Sequence, residues 1–149
     1  MIHIESSLHP QPVNTELIER AVLAALGQQS AEGDLSIVLT DDARLRQLNR
    51  DYLGIDAPTD VLSFPASETD PETGKSYLGD VLISIPRAEA QAHGAGHPLE
   101  AEVQLLVVHG VLHLLGHDHA RPEDKLSMWA AQAQILDGLG LAGLEILEN

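Results

Sequence analysis

One run dominates what this chain can become. LEAEVQLLVVHGVLHLLG, residues 99–116, is apolar on nearly every side when wound as a helix. A helix without a polar face has to be surrounded by other elements, so this one predicts the centre of a fold. Pro98 suits a first helical turn, Glu100 and Glu102 suit its positive end, and Gly116 is a natural terminator. The stretch from Leu105 to Leu115 is broken by His109, Gly110 and His113 and is too short to span a bilayer.

The rest of the chain supplies what could wrap such a helix. MIHIES alternates like a short strand, and Asn14 can cap a helix through TELIERAVLAALGQQ, with Leu17, Ile18, Ala21, Val22 and Ala25 on one face. DLSIVLT is a compact strand, after which Thr40 is placed to cap DDARLRQLNRDYL, ended by Gly54. VLSF is a strand expected to stop at Pro65, followed by a polar excursion, ASETDPETGKSY, and the strand LGDVLISI. Pro86 opens a short helix, and a last helix, PEDKLSMWAAQAQILDGL, offers Leu126, Met128, Trp129, Ala133 and Ile135 or Leu136 for packing. These elements predict one α+β domain over residues 1–149: about four strands, mostly parallel, packed with four to five helices.

Histidine carries the chemistry. His109 and His113 lie four apart on the central helix, so both project from one face. If Gly116 turns the chain at the helix end, His119 returns to the same place. The pattern H-x-x-x-H-x-x-G-x-x-H is the ligand frame of the metzincin zinc proteases. Two imidazoles buried without partners would cost several kcal/mol, so a metal centre at His109, His113 and His119 is expected at the C-terminal end of this helix. Neutral imidazoles suit zinc, with nickel or another divalent transition metal chemically open. Three protein ligands leave a tetrahedral position for water, whose pKa zinc lowers to about 7. A purely structural site would need a fourth ligand, for which His117 and Asp118 are the nearest candidates. Gly110 occupies the place where the proteases keep a glutamate base.

Charge sets the limits on partners. Eight Lys and Arg against 23 Asp and Glu give a net charge of −15, which repels bulk nucleic acid unless the few cations cluster. Three of them, Arg44, Arg46 and Arg50, fall in RLRQLNR, and Arg46 and Arg50 are one turn apart. Zero cysteines exclude disulfides and thiol catalysis. The start of the chain has neither a basic segment nor an apolar run, so a cytoplasmic location is expected.

With these motifs in hand, HGVLHLLGHDH, LNRDYLGIDAPTDVLSFP and LGDVLIS together closely resemble, in order and spacing, the YbeY family of bacterial endoribonucleases. The resemblance runs from about Leu35 to Leu139. It implies a metal-dependent, single-strand-specific endoribonuclease acting in 16S rRNA 3′-end maturation, ribosome biogenesis and rRNA quality control. It also implies one zinc held by His109, His113 and His119, with His113 central to catalysis. Implied partners are rRNA and the small ribosomal subunit or its assembly factors, with no DNA and no membrane. Two positions depart from the family pattern: His117 stands where tyrosine is common, and Leu53 where many members carry an arginine. Arg46 or Arg50 are candidate substrate contacts in its place, and His117 is a further candidate contact. Thr59, Asp60 and Ser63 are read as pocket-shaping or hydrogen-bonding residues. Two other functions fit the same residues: a zinc hydrolase of peptides or small molecules, and a non-enzymatic, metal-stabilised ribosome-assembly module.

Overall fold

The computed structural model describes residues 1–8 and 12–146. In chain order the elements are β1 (Ile2–Ser6), α1 (Thr15–Gln28), β2 (Asp34–Thr40), α2 (Asp42–Leu53), β3 (Val61–Thr69), β4 (Ser76–Ser84), α3 (Ile85–Ala95), α4 (Leu99–Leu114) and α5 (Pro122–Gly138). The strands form one sheet in the order β1-β2-β4-β3. β1 runs parallel to β2 and β2 parallel to β4, while β3 pairs antiparallel with β4 as an edge strand. The architecture is the expected α+β domain with a four-stranded, mostly parallel sheet and five helices.

Alternation along the strands separates two apolar clusters. Leu35, Ile37 and Leu39 of β2 and Val81 and Ile83 of β4 point to the main core, where they meet α1, α4 and α5. Leu82 and Leu62 point the other way and join Leu45 beneath α2. Helix α4 lies in the main core with twelve consecutive buried residues from Ala101 to Leu112, as its nearly all-round apolar sequence requires. Its end is a Schellman turn: Gly116 takes φ +98°, its N–H donates to the His113 carbonyl at 3.1 Å, and the His117 N–H donates to Leu112 at 3.0 Å. No helix among the described residues is long and apolar enough to cross a membrane.

Four local expectations are corrected. Asp41, not Thr40, caps α2: its carboxylate accepts the Arg44 N–H at 2.8 Å, while Thr40 remains in β2. β3 does not stop at Pro65 but continues to Thr69, because an edge strand can spare one N–H and the register shifts between Pro65 and Glu68. The supposed excursion is therefore mostly a hairpin, its turn closed by the Asp70 N–H on the Lys75 carbonyl at 2.8 Å. In α5 the buried stripe is Met128, Ala131, Gln132, Ile135 and Leu136. Leu126, 74% exposed, and the exposed Ala133 lie off that stripe by the 3.6-residue period.

Candidate metal centre

His109 and His113 sit one turn apart on α4, near the point where that helix emerges from the core. His109 is only 5% exposed, and its Nδ1 lies 3.0 Å from Oε1 of Gln132, a buried residue of α5. An amide oxygen can only accept, so this bond places the proton on Nδ1 and leaves Nε2 with its lone pair. That Nε2 faces Nε2 of His113 at 3.1 Å. The turn at Gly116 then brings His119 back, with its ring centroid 5.4 Å from His109 and 5.2 Å from His113. Ring nitrogens of all three lie within 4.8 Å of one another. Among the described residues the group contains no fourth His, Cys, Asp or Glu.

This donor set fits a divalent metal. Burial, and then the neighbouring charge of His119, push the His113 imidazole below its ordinary pKa, which favours the neutral form that ligates. Gln132 does for His109 what outer partners of ligating histidines do, fixing ring orientation and tautomer. The Trp129 ring stands edge-on to His109 and His119 at 5.9 and 5.2 Å and walls the far side.

The histidines line a cleft of about 460 Å³ whose other wall is Leu53, residues 59–63, Pro65 and Ile146. Edge strand β3 is held against α4 here by the Ser63 hydroxyl, which donates to the Gly110 carbonyl at 3.0 Å. Gly110 faces the sheet: a Cβ there would lie 2.5 Å from Cγ1 of Val81. The absent glutamate is thus a packing requirement as much as a chemical one.

Asp60 is the cleft's only carboxylic acid among the described residues. Burial raises its pKa, against the opposing pull of Gln91, two backbone N–H groups and Arg87. With its amide nitrogen turned inward, Gln91 donates to Asp60 Oδ2 at 3.3 Å and Glu102 Oε2 at 3.2 Å. Glu102, raised by burial in turn, meets Nε2 of His97 at 2.7 Å.

The remaining candidates lie elsewhere. His117 bonds Oε1 of Gln29 at 2.7 Å and lines a separate hollow with Asp118 and Asp124. Asp118 accepts the His119 N–H at 2.7 Å, which steadies that histidine from outside the cluster. Arg46 pairs with Asp56 at 2.9 Å and Arg50 with Asp51 at 3.2 Å, both exposed and outside the cleft lining, whereas Leu53 is part of it. Sequence reasoning missed Gln132, whose signal was a lone amide inside the apolar stripe of α5.

The family model described as Endoribonuclease YbeY matches residues 4–140. Curated relatives named Endoribonuclease YbeY include one from Roseiflexus sp. (strain RS-1), 47% identical over 87% of this chain and 86% of its own. One from Moorella thermoacetica is 44% identical over 87% and 91%, and one from Brevibacillus brevis 39% identical over 84% and 86%. The fold is similar to that of a Thermotoga maritima protein solved in solution, with a TM-score of 0.59 at 23% identity over 94% of this chain and 92% of that one. A family match across most of the chain, together with relatives near half identical, means that this chain belongs to the Endoribonuclease YbeY family.

Proposed function

We propose that the chain is a zinc-dependent, single-strand-specific endoribonuclease of the cytoplasm that works on precursor rRNA at the 16S 3′ end and in rRNA quality control. The observation carrying this reading is the convergence of His109, His113 and His119 in an open cleft, in a chain whose relatives are named endoribonucleases. When bound, the metal supplies Lewis-acid polarisation of a phosphoryl oxygen and lowers the pKa of water.

The protein's own residues do the rest. Gln132 holds the His109 proton on Nδ1, and the lowered pKa of the half-buried His113 favours its neutral form, so two nitrogens are readied for a metal. Asp60, with its raised affinity for a proton, is the group in the cleft suited to proton exchange with substrate. Ser63 is not activated as a nucleophile: its hydroxyl donates to the Gly110 carbonyl, which cannot take up the proton as a base would. rRNA and the small subunit or its assembly factors are the partners this reading calls for.

The test is cleavage of a 3′-extended precursor rRNA by identically purified wild type and His113→Ala, with zinc content read by mass spectrometry. Loss of zinc and of cleavage together is the expected result. Cleavage retained by a zinc-free His113→Ala protein would refute the reading. One observation favours a second reading: among the described residues β3 is an edge strand along the cleft, as a peptide substrate would use. Hydroxamate-sensitive peptide cleavage with RNA untouched would decide for that reading.

A further inference from the structure

We propose that Tyr52, backed by Phe64, is a stacking platform for one unpaired nucleobase of the strand that enters the histidine cleft; this rests on the RNA-cleaving reading above. Large apolar side chains are mostly covered in this molecule. Among the described residues the exposed ones are Met1, Leu23, Tyr52, Leu53, Ile55 and Leu126. Single exposed residues need no explanation, but three of these six fall within four positions at the end of α2. Gly54 creates that cluster by ending the helix in the left-handed conformation at φ +71°.

Tyr52 is 69% exposed, yet it is not unsupported. Its ring meets Phe64 edge-to-face, 5.6 Å between centroids at 69°. Phe64 packs in turn on the small core of Leu45, Leu62 and Leu82. One side of the tyrosine is therefore held while most of its surface stays open, which is how a preformed stacking surface is built. Neither aromatic lines the cleft itself, but both border it: Leu53, next to Tyr52 at the end of α2, and Leu62, which shares the small core with Phe64, are part of its wall.

Charge points to the same occupant. The cleft lining contains no Lys or Arg among the described residues, and Arg46 and Arg50 are engaged by Asp56 and Asp51. In a chain of net charge −15, neutralising phosphates gives little affinity. Stacking a base on an aromatic ring depends weakly on salt and strengthens binding about five- to a hundredfold. A paired base is already stacked inside its duplex, so the platform accepts an unpaired one, and it confers preference for single strands without any basic groove.

The experiment measures cleavage kinetics of the zinc-loaded protein, and binding by fluorescence anisotropy, on a labelled single-stranded oligoribonucleotide. Parallel substrates carry an abasic spacer at each position flanking the cut. Tyr52→Ala should raise KM and Kd about five- to a hundredfold, with the loss in KM rather than in kcat. Tyr52→Phe should recover binding. One abasic position should weaken the wild type by a similar factor while leaving Tyr52→Ala indifferent. Leu53→Arg should steepen the salt slope by about 0.7, the increment for one added phosphate contact on a single strand. Equal KM values for wild type and Tyr52→Ala overturn the platform while leaving the nuclease reading intact. So does a Tyr52→Ala defect confined to binding another protein, which would assign the patch to a protein partner. A zinc-loaded wild type that neither binds nor cuts RNA overturns both readings.

Discussion

The Ser63 hydroxyl donates to the Gly110 carbonyl across 3.0 Å, joining the edge strand to α4 at the residue after its first histidine. The contact is this close because position 110 has no side chain. Gly110→Ala tests it with opposing forces. Alanine favours a helix over glycine by about 1 kcal/mol. Its Cβ would lie 2.5 Å from Val81 Cγ1, and such overpacking costs about 1–3 kcal/mol. We expect a net loss of stability in urea titration and weaker zinc binding, both partly restored by Val81→Ala in the same chain.

Gln132 meets the site through Nδ1 of His109. Gln132→Leu keeps the bulk and removes the acceptor, freeing the imidazole to choose the wrong tautomer. Zinc affinity should fall about 10- to 100-fold, measured by competition with a chromogenic chelator. An unchanged affinity would mean that the bond plays no part in preparing His109.

His113 and His117 stand four residues apart and should behave oppositely. His117→Ala loses a bond to Gln29 outside the histidine cluster, so it should keep full zinc occupancy and the chelator response of the wild type. His113→Ala should show no shift in unfolding midpoint when chelator is added. In the wild type, zinc at a hundred times its Kd should add about 2.7 kcal/mol, lost on chelation. Zinc loss in His117→Ala would make that residue a ligand after all.

Asp42 gives a pH prediction. The Arg87 guanidinium, bonding both carboxylate oxygens at 2.9 Å, and the Ser84 hydroxyl hold its pKa below the ordinary value. A carboxyl depressed in the folded state adds stability above its unfolded pKa, about 3.9, and loses it as the pH falls through the folded value. The side chains are 35% and 38% exposed, so solvent screening limits the pair to under about 1 kcal/mol. Asp42→Asn should cost that much near neutral pH. The gap to wild type should close progressively below about pH 4 in thermal melts at several pH values.

The sequence was most readable where one physical force acted alone. A helix apolar on all sides had one possible location, and three histidines at set spacing with a glycine turn could meet at one point. It was least readable where a choice depended on partners distant in the chain. Pro65 looked like a stop because nothing local reveals that β3 is an edge strand. Thr40 and Asp41 are both good caps, and pairing of Thr40 with Ser84 across the sheet left the role to Asp41. Gln132 is remote from the histidine motif, so only the docking of α5 reveals its partner. His117 sat inside the motif yet turned outward, since the Gly116 turn that returns His119 sends its neighbour to Gln29.

The cleft has two walls of different material. One is α4, enclosed by the sheet and three other helices, where almost any change of volume disturbs the core. The other is the end of α2 and the segment leading into β3, set largely in solvent, where substitutions cost little stability. Selection can therefore rework which strands this protein accepts, one surface residue at a time, while the histidine frame stays fixed.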